Sequence, residues 1–209
     1  MNSPYGELVN VDNTHYAKVT ADTKETYTTD VPKYLAPAAE IKHEATVDNT
    51  PRYYDGKPMF STPSEAATAV TLTVSGVPSK LAAELTGKPY DATKGIAIDT
   101  GDASGAPDYA LSGRMELGDG GYRYYQYLKG KFTLGGSTAH TAEDKTTANT
   151  VDLNYTAVVT VHEFDVPDGK TPAGTKKSGV KGLTADTTDE AFTSADAWFS
   201  KVQTPAAEV

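Results

Sequence analysis

The feature that most constrains this chain is hydrophobic alternation with period two. In "VTLTVS", residues 70 to 75, Val70, Leu72 and Val74 alternate with Thr71, Thr73 and Ser75. That is the pattern of a strand with one face in a core and the other in water. Residues 151 to 161 repeat it. Val151, Leu153, Tyr155, Ala157, Val159 and Val161 point one way, while Asp152, Asn154, Thr156 and Thr160 point the other. Tyr109, Leu111, Met115 and Leu117 form a third apolar face, opposed by Ser112, Arg114 and Glu116. A helix needs apolar residues three and four apart, so these segments commit the chain to sheet.

The longest candidate strand stands between two glycine clusters in "GDGGYRYYQYLKGKFTLGG", residues 118 to 136. Its even positions, Tyr122, Tyr124, Gln126, Leu128, Gly130, Phe132 and Leu134, suit a core. The odd positions, Arg123, Tyr125, Tyr127, Lys129, Lys131 and Thr133, mix charge on long stems with two tyrosines. Gly118-Asp119-Gly120-Gly121 supplies the residues a tight turn requires. Residues 108 to 134 therefore read as one long antiparallel hairpin. Residues 151 to 164 form a third strand beside it, across a polar loop from 136 to 149. Residues 15 to 20 and 40 to 47 carry weaker strand patterns.

One helix is predicted, in "VPSKLAAELTG", residues 77 to 87, with Pro78 at its start, Leu81 and Leu85 on one face, and Gly87 as its stop. Residues 48 to 66 hold three prolines, Tyr53-Tyr54 and a turn-forming Asp55-Gly56 without periodicity, and read as a long loop too aromatic for disorder. Residues 165 to 183 read as a flexible linker. Phe192, Trp198 and Phe199 reappear in a short tail beyond it. The expected organisation is a β-domain over 1–164, a linker over 165–183 and a C-terminal arm over 184–209.

The composition narrows the functional classes. A net charge of −9 on 209 residues argues against a surface that grips nucleic acid, which needs clustered Lys and Arg. The absence of cysteine removes disulfides and thiolate metal sites, which fits a reducing compartment. No stretch approaches the roughly 18 apolar residues of a membrane span, and the first residues show no secretory signal. His15, His43, His140 and His162 are scattered, without metal-ligand spacing. Gly118 to Gly121 joins two strands and does not lead into a helix, so it is a turn and not a phosphate cradle. No enzyme activity, metal or cofactor is expected. An alternative reading is a β-sandwich adhesin or carbohydrate-binding module, with Tyr122, Tyr124, Tyr125 and Tyr127 as a stacking platform.

The order of parts carries a resemblance. "NVDNTHYAKV", residues 10 to 19, is followed by a Pro-Ala stretch at 35 to 39 and the aromatic loop. Then come "VTLTVSGVPSKLAAELTG" (70 to 87), the long hairpin, "TVDLNYTAVVTV" (150 to 161) and "ADAWFSKV" (195 to 202). This arrangement resembles the major tail protein family of long-tailed, non-contractile bacteriophages. The likeness is one of pattern and order along nearly the whole chain.

The resemblance implies a mainly β fold: an antiparallel β-sandwich with one flanking α-helix, a long inter-subunit loop and an extended C-terminal arm. It also implies a virion protein made in the host bacterial cytoplasm. Six copies would close into a ring, and rings would stack into the tail tube through which DNA passes unbound. Six copies carry a formal −54, which would repel DNA in a lumen. Further implied partners are the tape measure, tail terminator and distal tail proteins. On this reading Asn49, Pro51, Arg52, Tyr53, Tyr54, Met59 and Phe60 stack rings. Tyr109, Arg114, Glu116, Arg123, Tyr125, Tyr127, Lys129 and Lys131 lie on an inter-subunit, lumen-side hairpin continuing edge to edge between subunits. Phe192, Trp198 and Phe199 anchor the arm.

Overall fold

A computed structural model describes residues 6–61, 63–137, 150–167 and 175–205. Most of the polar loop expected at 136–149, including His140, the centre of the expected linker (168–174) and the last four residues of the arm lie outside the described residues. The chain is mainly β, with a large antiparallel sheet and one helix.

In chain order, β1 (Leu8–Asp22) carries β2 (Tyr27–Thr29) and β3 (Lys33–Tyr34) along its second half. Next come β4 (Ala38–Asp48), β5 (Pro51–Tyr54), β6 (Lys57–Ser61) and β7 (Ser64–Val74), then α1 (Ser79–Thr86). The small strands β8 (Tyr90–Asp91) and β9 (Ile96–Ala97) precede β10 (Tyr109–Leu117), β11 (Tyr122–Ser137) and β12 (Val151–Ala157). β13 (Glu163–Pro167), β14 (Thr175–Gly179) and β15 (Gly182–Asp186) complete the strands.

The main sheet runs β2-β1-β10-β11-β12-β7-β4, with β15 also on β11. Strand β11 is its seam. Residues 122–130 pair with β10, and 123–127 pair with β15 on the other edge. Residues 130–137 pair with β12, which leads on to β7 and β4. The core gathers side chains from both wings: Tyr16, Tyr109 and Leu111 from one, and Val70, Leu72, Val74, Leu153 and Tyr155 from the other, with Phe132 at the seam. The Tyr155 hydroxyl donates to the Tyr109 carbonyl at 2.8 Å, and the Tyr109 hydroxyl donates to Glu84 of α1 at 2.9 Å. Each large ring thus buries its bulk and satisfies its polar tip.

The helix forms as expected. Pro78 is its N-cap, Leu85 is fully buried in the core with Leu81 packed beside it, and the helix ends at the left-handed Gly87.

The uniform parity expected over 122–134 does not hold. The β10–β11 register shifts by one between Tyr109↔Gly130 and Leu111↔Tyr127. Before this bulge the odd residues Tyr125 and Tyr127 share a face with Gly113 and Leu111. After it, even-numbered Gly130 and Phe132 turn toward the core. One extra residue exchanges the two faces of a strand. The even residues Tyr124 and Gln126 are buried as well, under the C-terminal segment.

Three further expectations are corrected. Strand β12 stops at Ala157, and Val159 and Val161 are about half exposed because the Asp22 carboxylate takes the amides of Val161 and His162. The stretch read as linker is strand on both sides of its undescribed centre: β13 pairs with β14, and β15 joins β11 across the expected arm boundary. The stretch read as an unpatterned loop, 48–66, holds the β5–β6 hairpin, flanked by the end of β4 and the start of β7.

Candidate assembly interface

The β5–β6 hairpin is built locally. Asp55 and Gly56 have φ of 48° and 73°, the two-residue turn whose twist matches antiparallel strands and which Asp-Gly adopts most readily. Arg52 faces Phe60, Tyr53 faces Pro58, and Tyr54 meets the Phe60 ring edge-on at 5.8 Å. Every residue of both strands is exposed, including Pro51, Arg52, Tyr53, Tyr54, Met59 and Phe60. Asn49, at the hairpin base, accepts a hydrogen bond from Ser61. The seven residues expected to stack rings are therefore brought together on one projecting element.

The residues of the long hairpin are placed differently. Strand β10 lies between β1 and β11, and β11 is flanked by β10, β12 and β15. Strand β10 is paired along both edges and residues 123–127 of β11 likewise, whereas residues 131–137 of β11 pair only with β12 among the described strands, so pairing within the chain leaves only that end of the hairpin open to edge-to-edge continuation. Tyr109 and Tyr125 are buried, which leaves them no surface for a second subunit. Arg114 forks onto Asp12 at 2.6 and 2.9 Å and lies 4.3 Å over the Tyr122 ring. Glu116 accepts from Asn10, and Arg123 forks onto Asp186 at 2.7 and 2.8 Å. Lys129 reaches the buried Asp22 at 2.6 Å, and Lys131 sits 3.2 Å from Asp108. These cations are all engaged in ion pairs within one subunit.

Tyr127 is half-buried and shares a 2.9 Å hydrogen bond with His43 Nδ1. Burial holds His43 below its ordinary value, and its Nε2 is buried without a hydrogen-bond partner among the described residues. Burial also pushes the Tyr125 phenol up, despite the neighbouring Thr14 hydroxyl. His43, Tyr125 and Tyr127 line a cleft of about 400 Å³ whose lining also includes the Lys181–Glu65 ion pair. The four tyrosines of the alternative sugar platform do not share a surface, because Tyr124 and Tyr125 are buried on opposite faces of β11.

The C-terminal segment docks on its own subunit. Phe192, Trp198 and Phe199 close around Tyr124 with ring centroids 5.5 to 5.9 Å away, and Phe199 stacks on His15 at 4.6 Å. The buried Gln126 carboxamide donates to the Gln203 carbonyl at 2.5 Å and accepts its amide at 3.0 Å, as a strand neighbour would. Composition hid this contact: a lone Gln among tyrosines carries no signal that it pairs with a main chain 77 residues away.

Free edges remain elsewhere. Strand β4 pairs only with β7 among the described strands, and residues 8–12 of β1 pair only with β10. Between these edges lies an open groove of about 490 Å³, which sequence reasoning missed because its walls are 30 residues apart. Among the described residues no helix is long and apolar enough to cross a membrane, and no three His, Asp or Glu side chains converge as a metal site. A scan against protein-family models and a search of curated proteins both find no match.

Proposed function

We propose that this chain is a structural subunit of a bacteriophage tail tube, assembling as stacked six-membered rings that conduct DNA. The observation that carries the reading is the β5–β6 hairpin. An antiparallel arm with Tyr53, Tyr54, Met59 and Phe60 between 51% and 65% exposed is costly for a protein that works alone. Burying such side chains is worth roughly 2–3 kcal/mol each, which a repeating contact recovers in every copy. The order of sequence segments supports the same reading. So do the open edges of β4 and β1, since exposed edges invite pairing and a closed ring covers them. The charge of −9 suits a conduit that must not hold phosphates. Tape measure, terminator and distal tail proteins are the further partners this role requires.

The test is negative-stain electron microscopy of the purified chain across a concentration series. Rings or tubes are expected at high concentration. Uniform monomers at every concentration would overturn the proposal.

A further inference from the structure

Two surfaces of this chain lack a partner among the described residues. One is the β5–β6 hairpin, with the Tyr54–Phe60 ring pair on its side. The other is the groove between the start of β1 and the start of β4, lined by Leu8, Val9, Val11, Ile41 and Met115 with Glu40 beside them. Leu8 and Val9 are 49% and 57% exposed there. Both walls carry strand edges without a ladder partner among the described residues.

The hairpin cannot fill the groove of its own copy. Strand β4 runs away from it, so from Ile41 to Asn49 the strand covers roughly 25 Å at about 3.3 Å per residue. The hairpin turn lies only six residues farther on, a reach of roughly 20 Å by the same measure. Folded back, it would still stop short of Ile41.

Charge points to a second copy. Residues 49–61 carry Arg52, Lys57 and Asp55, a net +1, on a chain of net −9, so the rest carries −10. Neither Arg52 nor Lys57 makes an ion pair among the described residues. At the groove, Lys42 is paired with Glu44 at 2.7 Å, and Glu40 makes no ion pair within 4 Å among the described residues. An arm of net +1 with an aromatic side thus matches a largely apolar groove that carries Glu40, on an otherwise acidic molecule.

We infer that the β1–β4 groove of one copy receives the β5–β6 hairpin of the next, with Tyr54 and Phe60 seated toward Ile41 and Met115, and Arg52 and Lys57 facing Glu40. The inference rests on the tube reading for its choice of a second copy as occupant, and it assigns the receiving surface. Knob and groove are different surfaces, so the contact is heterologous and propagates from copy to copy.

The chain contains no cysteine, so single cysteines report contacts cleanly. Met59→Cys and Val9→Cys chains, both altered at exposed positions, are mixed and oxidised. A Met59→Cys and Thr133→Cys mixture is the control, since Thr133 is exposed on β11 away from the groove. The expected result is at least tenfold more mixed covalent dimer from the first pair, abolished by adding Phe60→Asp to the Met59→Cys chain. Equal or absent cross-linking in the two mixtures overturns the inference. Tubes in the microscope without the Val9 cross-link overturn the groove assignment and leave the tube reading standing. A cross-link in particles that stop at dimers supports the groove and overturns the tube.

Discussion

Tyr125 lies across Gly113, its cross-strand partner on β10, so closely that a Cβ on residue 113 would clash with the phenol hydroxyl and the ring edge next to it. The glycine leaves the space that this buried ring fills. Gly113→Ala is expected to lower stability by about 1–3 kcal/mol through overpacking. In a Tyr125→Ala background the same change should cost far less, a coupling that urea denaturation of the four variants measures.

Two pH windows should separate. Burial alone would raise the Asp22 carboxyl. The Lys129 ammonium and the Val161 and His162 amides outweigh it and hold the group below 3.8. A carboxyl depressed in the folded state contributes stability above its unfolded value and loses it as pH falls through the folded one. His43 is depressed by burial from 6.5, so the unfolded chain binds the proton first and stability declines as pH drops below that value. Denaturation midpoints should therefore fall once below about pH 6.5 and again below about pH 4. His43→Gln should remove the first step, and Asp22→Asn should shrink the second, to which Asp186, held down by Arg123, also contributes.

Trp198 is the only tryptophan, buried against Tyr124, so its fluorescence reports docking of the C-terminal segment. Trp198→Ala should cost about 3 kcal/mol if the segment unfolds together with the sheet. Ending the chain after residue 187 removes Phe192, Trp198 and Phe199 but keeps β15. This truncation should lower the thermal midpoint while preserving the β-sheet circular dichroism. Ending it before residue 182 also strips β15 from β11, and that variant should aggregate through the bared edge.

Gly56 occupies φ 73° in the exposed hairpin turn. Gly56→Val places a β-branched side chain where L residues are strained, at a local cost of about 1–2 kcal/mol. Because the hairpin stands apart from the core, the subunit's thermal midpoint should move little, whereas assembly seen by light scattering should fall sharply. A large loss of midpoint would mean that the hairpin belongs to the cooperative fold.

Much of the architecture was legible along the chain. Alternation at 70–75 and over 151–157, the glycine turn at 118–121 and the Pro78-to-Gly87 helix are local signals, and they correspond to β7, β12, the β10–β11 turn and α1. Asp55-Gly56 was read as a turn, yet its flanks were taken as unpatterned. Every residue of β5 and β6 is exposed, so no buried face imposes the alternation that would have revealed them. At the candidate interface the sequence picked out the exposed aromatic hairpin residues and placed Tyr109 and Tyr125 wrongly at a subunit contact.

Sequence alone determined the strand-forming segments, the single helix, the acidic balance and the cysteine-free chemistry, because each depends on residues a few positions apart or on composition. Tertiary structure decided the rest. Whether Tyr125 faces a core or a neighbour depends on one extra residue near Leu128, which exchanges the faces of β11 and is invisible to a period-two count. Whether residues 182–186 are linker or strand depends on an open β11 edge 55 to 63 residues earlier. The groove exists only where β1 and β4 converge. Pairing between distant backbones draws on groups that every residue carries alike, so no side-chain pattern announces it.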